Sequence, residues 1–192
     1  MNETIPGVYR LDSPGRTRIP LVLDSPHSGS DYPDTFDTTV PTAILRRAED
    51  MYVDDLFADG PQFGAPLVSA LYPRSFIDPN RNVQDLDRDL LAEPWPDPVK
   101  PSEKARLGHG LIWRVCPHDY PMYGRRLSIA EVKDRIANYW HPYHKVLQFC
   151  MDETFDIFGM AWHINCHSMP SSGLPRGNEF NNSRHVDFVL GD

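Results

Sequence analysis

Cysteine is scarce in this chain: there are three, Cys116, Cys150 and Cys166, too few and too scattered for a disulfide framework or a cysteine-rich zinc site. They read as reduced thiols. Long hydrophobic runs are missing as well. No apolar stretch approaches the ~18 to 20 residues that a membrane-crossing helix needs. Met1 to Arg10 also lacks the basic-then-apolar order of a signal peptide. A soluble cytoplasmic protein that binds no membrane is the expectation. Positive charge is in deficit, with 19 Lys and Arg against 27 Asp and Glu and a net charge of −8. A nucleic-acid surface needs a basic stripe that this balance does not supply. A small anionic ligand remains open, because a few local arginines decide that. There is no Gly-x-Ser-x-Gly elbow, no glycine-rich phosphate loop, no repeat and no low-complexity segment.

What remains is an ordinary globular composition, 40% hydrophobic and 24% charged over 192 residues, enough for one domain with a sizeable core. Proline is abundant, at 19, and its clusters at Pro94, Pro96, Pro98 and Pro101, and at Pro117 and Pro121, predict long ordered loops. Three apolar runs read as strands, the first of them buried: Pro20 to Leu23, Pro66 to Tyr72, and Met160 to Cys166. A fourth is expected over Val186 to Leu190. Apolar residues at helical spacing predict a helix from Ala43 to Phe57, with Glu49 and Asp50 inside it. Ser128-Ile129-Ala130-Glu131 fits a capping box, opening a second helix with a kink expected at Pro142. Strands alternating with helices predict an α/β fold, a mixed central sheet with helices on both faces. Ligands of such sheets bind where loops leave the carboxyl ends of the strands.

Two of those loops carry histidine. His27 follows the first strand as Ser25-Pro26-His27-Ser28-Gly29, and His167 follows the third as His167-Ser168-Met169. Taken alone, His27 reads as a structural or capping histidine before it reads as a ligand. Two His-Ser pairs at two strand ends shift that balance, because imidazole is the commonest protein ligand of zinc, and a catalytic zinc takes three protein ligands plus an open position. The third ligand is a carboxylate from Asp50 or Glu49, if these do not simply form a solvated acidic face. Arg74 to Arg81 surrounds an apolar pair with two arginines and Asn80. It is either a loop whose arginines pair with Asp78 and Asp85, or a clamp for an anion's carboxylate. Arg114 is a further candidate cation. The other six histidines and the three thiols carry no spacing that groups them.

Assembled, these segments resemble the N-formylglutamate amidohydrolase (deformylase) family. The resemblance runs through Ser25-Pro26-His27-Ser28-Gly29, Glu49-Asp50, Arg74-x-x-Ile77-Asp78-x-Asn80-Arg81, Gly110 to Arg114, Pro142-Tyr143-His144, His167-Ser168-Met169 and Asp187 to Asp192. It implies a zinc-carboxypeptidase-like (phosphorylase/hydrolase-like) sandwich over residues 1–192, related to the aspartoacylase group. It also implies one Zn2+ held by His27, Asp50 and His167. Arg74, Asn80, Arg81 and Arg114 would hold a small anionic N-acyl amino acid. The implied reaction is hydrolysis of N-formyl-L-glutamate to formate and L-glutamate, late in histidine degradation. The alternatives are an amidase or carboxypeptidase acting on another N-acyl amino acid or a peptidoglycan fragment, and a non-catalytic small-ligand-binding member. Ser30 stands where the aspartoacylase group has a ligand glutamate, and the family's sequence continues past the position of Asp192. The general base is therefore expected beyond residue 192, with Glu49, Asp54 and Glu179 next in line.

Overall fold

The computed structural model describes residues 2–15, 17–116, 120–169 and 189–191. Its centre is a five-stranded mixed sheet in the order β1-β2-β4-β3-β7, formed by β1 (Glu3–Ile5), β2 (Tyr9–Asp12), β3 (Leu21–Ser25), β4 (Leu67–Ala70) and β7 (Trp162–Asn165). β3 runs parallel to both β4 and β7, so three carboxyl ends open on the same side of the sheet. β2 lies antiparallel to β4, and β1 forms a hairpin with β2 through Gly7 at φ +71°. A separate two-stranded ribbon pairs β5 (Val115–Cys116) with β6 (Tyr120–Pro121). β3 and β4 are buried along nearly their whole length, which is why they read as uninterrupted apolar runs. Most of the fourth expected strand, Val186 to Leu190, falls outside the described residues.

The helix expected over Ala43 to Phe57 is broken. It consists of α1 (Thr42–Leu45), a 3₁₀ turn over Arg46–Ala48, and α2 (Val53–Leu56). Glu49 is extended, at φ −78° and ψ 142°, and Tyr52 is left-handed at φ 66°. Neither Glu49 nor Asp50 is helical. The cause is tertiary: the Asp50 N–H donates to the carbonyl of His27 at 3.0 Å, not to a carbonyl one turn back. The capping box at Ser128 is present and starts α4 (Ile129–Arg135). A π-helical turn over Ile136–Trp140 follows and leads into α5 (His141–Phe158), where Pro142 occupies the first turn. The wider turn absorbs the proline, which would otherwise clash with a carbonyl one turn earlier. A short α3 (Glu103–Arg106), capped by Ser102, lies in the proline-rich excursion.

Inward residues Tyr143, Val146 and Cys150 of α5 join Val22, Val68 and Ala70 in the main core, while Val53 of α2 packs with Leu23, Leu67 and Cys166 in a second cluster. Asp24, 2% exposed, ties three elements together: its carboxylate accepts from Tyr143 Oη of α5 at 2.6 Å and lies 2.8 Å from His163 Nε2 of β7. All three cysteines are buried and unpaired. Burial pushes the Cys116 and Cys150 thiols up to about 11 and that of Cys166 up to about 12.

The loop that leaves β3 is packed tightly onto the end of β4. A Cβ at Gly29 would overlap the backbone of Leu71 and Tyr72, and Asp31 N–H donates to Leu71 O at 2.8 Å, close by. Backbone cannot swing aside as a flexible side chain can. Gly29→Ala should therefore cost about 1 to 3 kcal/mol of stability, the usual range for overpacking. Urea unfolding monitored by tryptophan fluorescence measures this, and an unchanged midpoint would mean that the loop is not locked there.

Candidate metal centre

The carboxyl ends of β3 and β7 deliver His27 and His167 to one place. Asp24 of β3 pairs in register with Asn165 of β7, and the histidines follow three and two residues later. Their rings lie 4.6 Å apart between centroids. Asp50 joins them from the break between α1 and α2, and one ligand atom from each of His27, Asp50 and His167 lies within 4.8 Å of the others. Both Nδ1 atoms face the same carboxylate oxygen: His167 Nδ1 stands 2.9 Å and His27 Nδ1 3.5 Å from Asp50 Oδ2. Glu49 does not take part; its carboxylate accepts from Tyr32 Oη and pairs with Arg46. Tertiary bonds hold the loop in place. Ser28 Oγ accepts the free N–H of Asp54 in the first turn of α2 at 3.1 Å and also meets Ser25 Oγ.

His27 is 1% exposed and bonded on one side only. Its Nε2 lies 2.8 Å from Asp78 Oδ1, whereas its Nδ1 is buried with no hydrogen-bond partner among the described residues. A buried orphan polar atom is costly, so the site is shaped for a missing partner at Nδ1. Two imidazole nitrogens and a carboxylate oxygen around that point are the donor set of a zinc site, and a carboxylate behind a ligating histidine is its usual support. The arrangement fits a divalent cation.

Asp78, 0% exposed, is the residue that sequence spacing undervalued. It accepts from His27, from the N–H of Asn80 at 2.9 Å, and from Arg74 through Nε at 3.2 Å and Nη2 at 3.0 Å. Burial alone would raise its carboxyl, but His27 and Arg74 outweigh that and hold it at about 2. Burial likewise opposes the Asp50 charge, yet the hydrogen bond from His167 and the nearby His27 ring keep its carboxyl well below the usual range. For His27, burial favours the neutral ring, and the Asp78 charge wins and raises its pKa.

The arginines divide. Arg74 is taken up by Asp78 and lies over the Trp113 ring at 5.2 Å. Arg114 pairs with Asp87. Arg81 forms no ion pair among the described residues, and its Nε is buried without a partner. Its backbone is fixed by Trp140 Nε1, which donates to Arg81 O at 2.9 Å. Asn80 reaches the histidine centre directly: its Nδ2 lies 3.1 Å from His167 Nε2, and its Oδ1 accepts from Asn165 Nδ2 at 3.0 Å. Asn165 was not singled out from the sequence. The alternation of β7 was the available signal, since it puts residues 163, 165 and 167 on one side.

A carboxyl depressed in the folded state stabilises it above the ordinary pKa and loses that effect as pH falls through the folded value. For Asp78 the window runs from about 3.8 down to about 2. The unfolding free energy of the metal-free protein should drop across that window, and Asp78→Asn should flatten the drop. Denaturation curves at stepped pH measure it.

A profile of N-formylglutamate amidohydrolase matches residues 19–192. An N-formylglutamate deformylase of Pseudomonas putida is 29% identical over 157 residues, spanning 80% of this chain and 53% of that protein. The crystal structure of an N-formylglutamate amidohydrolase from Ralstonia eutropha JMP134 superposes with a TM-score of 0.86 at 42% identity, over 94% of this chain and 64% of that one. The chain thus spans about half the length of the curated relative. With its match over residues 19–192, this chain belongs to the N-formylglutamate amidohydrolase family.

Proposed function

We propose that the protein hydrolyses the formyl amide of N-formyl-L-glutamate to formate and L-glutamate, using one Zn2+ held by His27, Asp50 and His167. One observation carries the metal reading: the buried, unpartnered Nδ1 of His27 faces the same Asp50 oxygen as His167 Nδ1. The substrate follows from the names of the relatives and from Arg81, the chain neighbour of Asn80, with an Nε that is buried without a partner among the described residues. When bound there, zinc supplies a Lewis acid that polarises the formyl carbonyl and makes water a better nucleophile.

The chain's own residues have separate tasks. Asp78 accepts the Nε2–H of His27, which fixes the ring and leaves Nδ1 as the donor. Asp50 brings negative charge that offsets the cation. Arg81 offers a planar fork that matches a glutamate carboxylate bidentately. Arg74 and Arg114, with their charges already met by Asp78 and Asp87, contribute to the field around the substrate more than to its direct grip. Asp50 faces both histidine Nδ1 atoms and Asp78 is taken up by His27 and Arg74, so the proton acceptor for the attacking water is assigned to neither of them.

Three measurements test this reading. Metal analysis of the purified protein, with glutamate release assayed on formyl-, acetyl- and succinyl-glutamate, should show zinc and a preference for the formyl compound. Turnover of acetyl- or succinyl-glutamate in preference would sink the substrate assignment. His27→Ala and His167→Ala should each abolish stoichiometric zinc binding, while Asp78→Asn should weaken it about 10- to 100-fold, the usual cost of losing an outer-shell partner. Arg81→Lys should raise KM with zinc content unchanged, because a point charge does not reproduce the fork. Loss of zinc at unchanged KM would make Arg81 a structural residue.

A further inference from the structure

Three side chains of one helical run reach three carbonyls of the segment after β4. Arg135 Nη1 donates to Phe76 O at 2.9 Å, and Trp140 Nε1 donates to Arg81 O at 2.9 Å. His144 Nε2 lies 2.8 Å from Pro79 O. A carbonyl only accepts, so this nitrogen of His144 carries the proton. Arg135 is the deep anchor of the three. Its guanidinium is buried with no carboxylate partner among the described residues, lies 4.2 Å from the Phe76 ring centre, and also donates to Tyr123 Oη at 2.7 Å.

The spacing of the three donors fits the π-helical turn between them. Arg135 and Trp140 are five residues apart, which in an unbroken α-helix would point them roughly 140° away from each other. The turn over Ile136–Trp140 closes its hydrogen bonds over five residues, so Trp140 returns to the face of Arg135. His144 stands one α-helical turn further along that face, its ring centre 3.8 Å from that of Trp140 at an interplanar angle of 32°. Tyr139, within the wide turn, packs edge-on against Tyr72 and Phe76, and its carbonyl accepts from Tyr72 Oη at 3.4 Å.

The peptide group entering Asn80 and the one leaving Arg81 are thus both pinned to the helical run. The two residues between them carry the amide and the guanidinium assigned above to the substrate's carboxylate. Asp78 is fixed separately: its N–H donates to Leu111 O at 2.7 Å, and its carboxylate is held by Arg74 and His27. The Trp140 and His144 bonds end on main-chain carbonyls outside the His27–Asp50–His167 cluster.

We propose that Trp140 and His144 are positioning residues that set the Asn80–Arg81 pair for a carboxylate of an N-acyl amino acid. They determine how tightly that substrate is held, not how fast its amide is cleaved or how well the metal is bound. The inference rests on the substrate reading above for what the pair grips. Its structural half, the pinning of Asn80 and Arg81, has a readout that needs no substrate.

The test deletes one donor at a time and keeps a ring in place. Trp140→Phe loses the indole N–H, His144→Phe loses the imidazole N–H, and His144→Gln restores an N–H donor of similar reach. KM for N-formylglutamate should rise about 5- to 10-fold in each phenylalanine variant, the usual effect of one lost hydrogen bond, with kcat and zinc content unchanged. His144→Gln should return KM to the wild-type value. Amide hydrogen exchange followed by NMR should show Asn80 and Arg81 exchanging faster in both phenylalanine variants, with α5 unchanged and His144→Gln at the wild-type rate. A merely structural role predicts instead a fall in kcat and zinc content at unchanged KM, and that result overturns the proposal. Equal losses in His144→Gln and His144→Phe, or unchanged exchange at Asn80 and Arg81 in both phenylalanine variants, also overturn it. If Trp140→Phe does not fold, the His144 pair decides. A wild-type chain that fails to turn over N-formylglutamate sinks the substrate reading instead, and the exchange rates then decide the positioning role alone.

Discussion

The bond between Asp78 and His27 is the contact on which the site depends. Both residues are almost wholly withdrawn from water, so neither could be there without the other and without Arg74. A buried carboxylate that lost its histidine would keep only the arginine, and a buried imidazole that lost its carboxylate would have two orphan nitrogens instead of one. The bond also has geometric content. It spans from the loop after β3 to the segment after β4, and so joins the histidine centre to the Asn80–Arg81 stretch. A shift of His27 is therefore coupled to a shift of the Asn80–Arg81 stretch.

Parallel pairing makes this possible. β3, β4 and β7 end on the same side, and the loops leaving them carry His27, the Arg74–Arg81 segment and His167 in turn. Asp50 arrives from a different direction, through a helix that breaks to admit it. That break is stabilised by the very loop it serves: Asp50 N–H meets His27 O, and Ser28 Oγ meets Asp54 N–H. Local helix-forming tendency in the Ala43–Phe57 stretch yields to two hydrogen bonds that only the assembled fold can offer.

How much of this could be read from residues alone differs by the kind of signal. β3 and β4 were legible because buried parallel strands are apolar throughout, and the histidines were legible as strand-end residues. The capping box at Ser128 was legible because both its partners lie within one turn. Glu49 and Asp50 were misplaced into a helix because periodicity cannot see His27 O, 23 residues earlier in the chain. The short β1 and β2 lacked a run long enough to stand out. Arg74, read either as a partner of Asp78 or as part of an anion clamp, pairs with Asp78. Asn165 was passed over because its role exists only across the gap between the ends of β7 and the Asp78–Arg81 segment.

Asp24 has a consequence of another kind. It sits on β3 between β4 and β7, bonded to α5 through Tyr143 and to β7 through His163, while its own carbonyl accepts the N–H of Cys166 at 2.8 Å. A strand, its neighbour and the helix covering them therefore share one buried carboxylate, and none of the three can open without stranding it. Amide hydrogens of β3, β7 and the centre of α5 should exchange with deuterium together, as one cooperative unit, whereas those of β1 exchange ahead of it from an exposed hairpin.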